Sequence, residues 1–257
     1  MSLPPVRLVR QYDACRLVPS RHSESVLARI ADDDSHLQDL FELDHATNDR
    51  LLAENNLAPG IRVHELVFGV PYFRIVNAAF CHPHPLGSRF NGPDRGAWYA
   101  GFEVETAQAE VAFHKWVELV EVNWLEESVS YDEFFADFSA EFHDLRGGGG
   151  FKSCLDPESY VASQSLAATL LQADSLGVVY PSVRRPGGTC VACFRPVLVM
   201  NVRKGATYRF AWSGSPAPAI EKIAPAPEAA PISSGPSRRS RPRRGSSRRP
   251  GRTPRRE

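Results

Sequence analysis

The sequence predicts a mixed α/β (α+β) domain bounded by two extensions, and three observations lead to it. Short β-rich runs alternate with helical stretches from Asp13 to Ser213. The 257-residue chain is 42% hydrophobic and 23% charged, a balance that suits a globular domain with a sizeable buried core. After Gly214 the composition turns rich in proline and alanine, then arginine, and no apolar pattern remains to build a core. Residues 1–12 are therefore read as an N-terminal extension, 13–213 as the domain and 214–257 as a disordered tail.

The first element is "VRLVRQYDACRLV", whose alternation suggests a strand. "SESVLARIADDDSHLQDLFELDHATNDRLLAEN" reads as a mostly helical N-terminal segment. In it Leu37, Leu40, Phe41 and Leu51 recur near helical spacing, and Ser35 with Gln38 has the pattern of a capping box. "PGIRVHELVFGVPYFRIVNAAFCH" reads as short β-rich pieces broken by Pro59–Gly60 and Pro71. "AWYAGF" is a strand. "TAQAEVAFHKWVELVEV" is a helix beginning between Glu103 and Thr106, where Glu103 and Glu105 meet the positive end of the helix dipole. An acidic, aromatic segment, "SYDEFFADFSAEFHDLR", leads to a glycine run at Gly147–Gly150, read as a flexible link. "DPESYVASQSLAATLLQADSLG" is a second helix, with Asp156 and Pro157 at its start and Gly177 past its end. "VVYPSVRRPGGTCVACFRPVLVMNV" gives a strand, a turn at Pro186–Gly188 and another strand.

The formal net charge of zero conceals two opposed parts. Ten arginines and one glutamate give Ser233–Glu257 about +9, leaving 20 basic and 29 acidic residues, about −9, for the rest. A solvated extension is the simpler reading of the tail. Weak nucleic-acid contact through phosphate neutralisation is the alternative. The apolar runs fall short of the ~18 residues that a membrane-spanning helix needs. The N-terminus shows no signal-peptide pattern, so a cytoplasmic protein without membrane contact is expected. Its five cysteines are then expected to be reduced. Cys190 and Cys193 form a CxxC pair, a spacing that can signal zinc or redox chemistry. No second ligand pair stands at the usual spacing, and "TCVACFRPVLVMNV" reads as a strand. The pair is therefore read as structural, and no metal is expected.

Several catalytic signatures are missing: no P-loop, no dinucleotide-binding GxGxxG after a strand, no HExxH and no GxSxG. What remains is Arg89 in a glycine- and proline-rich turn, Tyr99 in the strand after it, Glu110 in the helix and Ser182 after the later strand. Glu110 lies between Ala109 and Val111 in the apolar part of its helix, away from the dipole's positive end. His114 falls four residues on, on the same face, where it packs behind Glu110 or tunes its ionisation.

In these residues the chain resembles the RES domain family, named for its Arg, Glu and Ser. "GSRFNGPDRGAWYA" is similar to the family's arginine turn and tyrosine strand, "ETAQAEVAFH" to its glutamate helix and "GVVYPSVRRPGGTC" to its serine loop. "CRLVPSRHSE" and "FELDHATNDR" look like the N-terminal part of one RES subgroup, so the resemblance spans Asp13 to Ser213. It implies a compact fold like that of ADP-ribosyltransferase toxins. It also implies the toxin of a bacterial toxin–antitoxin pair, held by a small Xre-like antitoxin, with NAD⁺ as substrate and no cofactor.

NAD⁺ carries a pyrophosphate that a planar guanidinium binds bidentately. Arg89 is the first candidate for it, and Arg16 or Arg21 the second. Cleavage of the nicotinamide–ribose bond builds positive charge on the ribose carbon, as in an oxocarbenium-like transition state. Glu110 can stabilise that charge and hold a ribose hydroxyl. Tyr99 offers a π-face to the cationic ring, and Ser182 can orient the ribose or the acceptor. Water as acceptor makes a glycohydrolase, phosphate a phosphorylase, and a protein side chain an ADP-ribosyltransferase.

Overall fold

The computed structural model describes residues 3–23, 60–147 and 149–223. The expected N-terminal helix with its capping box, and the Arg-rich tail, lie outside the described residues. Among those residues the strands are β1 (Val6–Pro19), β2 (Trp98–Gly101), β3 (Glu126–Asp144), β4 (Gly177–Pro181), β5 (Thr189–Cys193), β6 (Met200–Ser213) and β7 (Ala219–Ile223). Three helices of two turns or more accompany them: α1 (Phe73–Cys81), α2 (Val104–Glu121) and α3 (Val161–Gln172). The mixed α/β class expected from the sequence is what the chain adopts.

The strands form one seven-stranded sheet in the order β1-β2-β5-β4-β3-β6-β7, and β1 also pairs with β3. The pairings β1–β2, β2–β5, β5–β4, β4–β3 and β3–β1 therefore run in a closed circuit. The β1–β3 ladder is antiparallel from Val6↔His143 to Pro19↔Tyr131, with a register shift between Gln11 and Ala14. Asp13 sits in that irregularity at φ 55°, a left-handed conformation that aspartate tolerates better than most residues. Its N–H is held by Asp137 Oδ1 at 3.0 Å.

Each helix covers its own apolar cluster. Val76 and Phe80 of α1 pack with Trp98, Phe134, Phe138 and Phe142. Leu166, Ala167 and Leu170 of α3 pack with Phe90, Val178, Tyr180 and Ala192. Ala107, Ala112 and Leu119 of α2 pack with Cys15, Leu17, Tyr131, Phe210 and Trp212. Strand alternation decides which cluster each residue joins: on β4 and β5, Val178, Tyr180, Cys190 and Ala192 face α3, whereas Val179, Val191 and Cys193 face α1. Each fully buried Phe contributes about 2–3 kcal/mol of transfer free energy.

Four stretches differ from the sequence reading. The β-rich pieces expected over 59–82 are instead a short 3-10 turn at Val63–Glu65 followed by α1. Val76 and Phe80 lie four apart, so helix places both inward, and Asn77 secures the incoming chain by hydrogen bonds with Val67 N (3.1 Å) and Val67 O (2.7 Å). The acidic, aromatic segment is the core of β3: Phe134, Ala136 and Phe138 share one buried face although Asp132 and Glu133 precede them and Asp137 stands among them. The second helix starts at Val161 rather than beside Pro157, and Gly177 opens β4 instead of closing the helix. Gly177 adopts φ 145°, and a Cβ there would lie 2.3 Å from Ala192 O. Finally, β7 extends the sheet beyond Gly214 by pairing with β6 from Thr207↔Ile223 to Ala211↔Ala219. No helix among the described residues is long and apolar enough to cross a membrane.

A buried carboxylate ties the end of β1 to the far side of the sheet. Asp132 is 2% exposed and accepts from Thr207 Oγ1 at 2.6 Å, from Lys204 Nζ at 2.8 Å and from Ser23 Oγ. Burial pushes its pKa up, but the hydrogen bonds from Lys204, Ser23 and Thr207 outweigh that and hold it below the ordinary value. A carboxyl depressed on folding adds stability above its unfolded pKa, about 3.9, and that stability is lost as pH falls through the folded value. Urea midpoints followed from pH 7 downward are expected to fall below about pH 4, and Asp132→Asn to flatten that fall while lowering the pH 7 midpoint.

Candidate active site

The site is built where the first turns of α2 cross β2 and β5. Gly101 makes the approach possible: a Cβ there would lie 2.7 Å from Ala107 N, so only glycine lets the helix come so close to the strand. Glu103 precedes α2 and accepts from Thr106 Oγ1 at 2.6 Å. Thr106 also accepts from Arg185 at 3.1 Å, which draws the β4–β5 loop onto the helix. Gly188 in that loop would place a Cβ 2.6 Å from Thr106 Oγ1.

This packing brings Glu110 and Ser182 together. Ser182 Oγ donates to Glu110 Oε1 at 2.7 Å and accepts from the backbone N–H groups of Arg184 (3.1 Å) and Arg185 (3.0 Å). Those two N–H bonds occupy the serine oxygen and aim its hydrogen at the carboxylate. Cys190 Sγ lies 3.7 Å from the same Oε1. His114, one turn on, keeps an exposed edge and meets Phe113 edge-on at 5.5 Å. Desolvation of its ring by the surrounding protein pushes its pKa down while Glu110 pulls it up, and the net direction is downward.

Tyr99 stands on the neighbouring strand with its hydroxyl fixed at both ends. It donates to Asn91 Oδ1 at 2.8 Å and accepts from Phe90 N at 2.9 Å. Burial pushes its pKa well above the ordinary value, the Phe90 N–H opposing, so the hydroxyl keeps its proton. Arg16, on β1, donates to Tyr99 O at 3.2 Å, and its guanidinium lies 4.9 Å from the centre of the Trp98 ring. Burial lowers Arg16 to about 10, which leaves it charged at neutral pH. Its buried Nε has no partner among the described residues. Arg16 and Tyr99 line a pocket of ≈ 190 Å³ together with His22, His82, His84 and Asn91.

The expected site residues thus fall into four placements. Arg16 and Tyr99 share the pocket wall, and Glu110 and Ser182 form a hydrogen-bonded pair that does not line it. Tyr180 is buried, pairs in register with Cys190 and packs 4.7 Å from the Phe90 ring. Arg89 is 6% exposed, and its guanidinium is committed to Asp156 O (2.7 Å), Cys154 O (3.2 Å) and the Tyr160 ring at 4.8 Å. It anchors the turn before α3 and does not line the pocket. Arg21 is exposed and bonded to His22 Nε2 at 3.0 Å, so of the two N-terminal arginines Arg16 is the one the fold brings to Tyr99. Cys190 and Cys193 face opposite sides of β5, too divergent to grip one ion.

Sequence reasoning missed Asn91, Tyr160, Arg184 and the contact of Cys190 with Glu110. Asn91 had a signal, since it lies two residues from Arg89 in the same turn. Arg184 stacks 3.2 Å over the centre of the Phe113 ring and donates to Pro157 O at 2.7 Å, a role no local pattern reveals.

The carboxylate–serine pair and the arginine- and tyrosine-lined pocket are thus both carried by one mixed sheet and the helix packed on it. The RES domain family model matches residues 62–213, and the chain belongs to that family. The match covers the arginine turn, the glutamate helix and the serine loop, and begins after the segment holding Arg16 and Arg21. One chain in the crystal structure of the M. tuberculosis MbcT–MbcA toxin–antitoxin complex is similar at 15% identity, over 51% of this chain and 73% of that chain, with a TM-score of 0.37. No curated protein matches the sequence.

Ser182→Ala removes the acceptor of two backbone N–H groups as well as the donor to Glu110. It is expected to lower stability by about 1–3 kcal/mol, read as a drop in urea midpoint at unchanged slope.

Proposed function

We propose that this protein is a RES-type toxin that breaks the nicotinamide–ribose bond of NAD⁺. The observation that carries the reading is the Ser182–Glu110 hydrogen bond of 2.7 Å, held beside the Arg16–Tyr99 pocket in a chain that belongs to the RES family. Arg16 takes the pyrophosphate: it keeps its charge and lines the pocket beside Tyr99. This reassigns to Arg16 the contact first expected of Arg89, whose guanidinium is engaged with backbone carbonyls and instead sets the shape of the cleft. The Tyr99 ring, fixed by its hydroxyl, receives the nicotinamide.

Glu110 faces the ribose. As nicotinamide leaves with the bonding electron pair, positive charge spreads over the ribose carbon and ring oxygen, and a preorganised carboxylate stabilises it without reorientation. Ser182 holds that carboxylate. The acceptor then bonds to the ribose carbon and gives up its proton, and net NAD⁺ breakdown with water or phosphate is the favoured course. A protein side chain in that position would make the enzyme an ADP-ribosyltransferase. The family reading also gives this protein an antitoxin partner, a small Xre-like protein that covers the site.

Purified protein incubated with NAD⁺ is expected to release nicotinamide, and Glu110→Gln to lower kcat by about a hundredfold or more. Product masses with and without inorganic phosphate identify the acceptor. Equal release by both proteins removes Glu110 from the chemistry, and release by neither with phosphate present removes the reaction.

A further inference from the structure

We infer that Cys190 is a positioning residue for Glu110: its thiol and the Ser182 hydroxyl converge on one carboxylate oxygen, Oε1, and leave Oε2 to the substrate. The inference rests on the role given to Glu110 above. Ser182 Oγ is 2.7 Å and Cys190 Sγ 3.7 Å from Oε1, and no described residue donates to Oε2. The terminal torsion of a glutamate is soft, with a broad two-fold preference. One donor restrains it, and a second on the same oxygen from a different direction fixes which oxygen points away.

Strand register explains how a sulfur comes to stand there. Cys190 pairs with Gly101 on β2 and with Tyr180 on β4, and at Gly101 a Cβ would lie 2.7 Å from Ala107 N of α2. Glu110, further along that helix, is thereby carried over Cys190. The cysteine is 3% exposed, and burial with the neighbouring Glu110 pushes its pKa well up, so the sulfur keeps its proton and acts toward the carboxylate as a donor. Ser182 cannot reverse roles either, because its oxygen already accepts from Arg184 N and Arg185 N. The Ser182 hydrogen therefore points at Oε1, and the Cys190 thiol, which also lies within hydrogen-bonding reach of the Ser182 and Tyr180 hydroxyls, has Oε1 as its carboxylate acceptor. A cysteine that merely filled space would have no preference for a donor atom in its place.

The test compares nicotinamide release by the parent, Cys190→Ala and Cys190→Ser proteins, together with the infrared S–H stretching band of Cys190. That band is assigned by difference against Cys190→Ala and recorded in the parent and in Glu110→Ala. Alanine removes the donor and is expected to lower kcat about tenfold at unchanged KM, the scale of one hydrogen bond. Serine keeps a donor and is expected to restore the rate to within about threefold of the parent. Buried serine packs no better than alanine, so recovery reports the donor rather than the volume. The S–H band is expected at lower wavenumber in the parent than in Glu110→Ala. Parental kcat in Cys190→Ala, or equal loss in both cysteine variants, overturns the positioning role. A band that Glu110→Ala leaves unmoved overturns the contact itself. A parent that releases no nicotinamide overturns the reaction assigned above, and the band alone then decides whether Cys190 holds Glu110.

Discussion

The pairing of β1 with β3 is the constraint on which the remaining geometry depends. It runs from Val6↔His143 to Pro19↔Tyr131 and closes the strand circuit through β2, β5 and β4. Because β1 is in ladder register with β2 only at Cys15↔Gly101, the β3 ladder fixes the position of Arg16, and the Arg16 side chain in turn meets Tyr99 O. The irregularity at Asp13 adjusts the register between Gln11 and Ala14, before the arginine is reached. A one-residue slip would send Arg16 to the opposite face of the sheet and take the pocket with it.

On this frame two close approaches assemble the chemistry. Gly101 lets α2 settle on the sheet, and Gly188 lets the β4–β5 loop settle on α2. Glu110 and Ser182 come from elements 72 positions apart in sequence, yet they are brought to hydrogen-bonding distance by these two glycine contacts. The polar groups around them are mostly committed: Tyr99 to Asn91 and Phe90, Arg89 to the carbonyls before α3, Arg184 to Phe113 and Pro157. Among the described residues around them, Arg16 Nε, Trp98 Nε1 and the second oxygen of Glu110 have no hydrogen-bond partner. Committed neighbours keep the site preorganised, which is where most electrostatic catalysis originates.

The alternation of strand and helix, the strand at Trp98, the helix at Val104 and the β4–β5 pair were legible because periodicity and turn residues agree there. The helix at Phe73–Cys81 was hidden because its β-branched and aromatic residues favour strand locally, while burial of Val76 and Phe80 on one face favours helix. β3 was hidden by Asp132, Glu133 and Asp137, acids that a sequence window reads as solvated and that the fold pairs or buries instead. Arg89, Glu110 and Ser182 could be named from their order along the chain. Their duties could not: whether an arginine meets a ligand or a carbonyl depends on Cys154 and Asp156, some 65 residues away.

The most direct test is a crystal structure of the Glu110→Gln protein with NAD⁺ bound. The account predicts the pyrophosphate on Arg16, the nicotinamide against Tyr99 and the ribose facing position 110. A dinucleotide bound away from Arg16, or with its ribose turned from position 110, would contradict it.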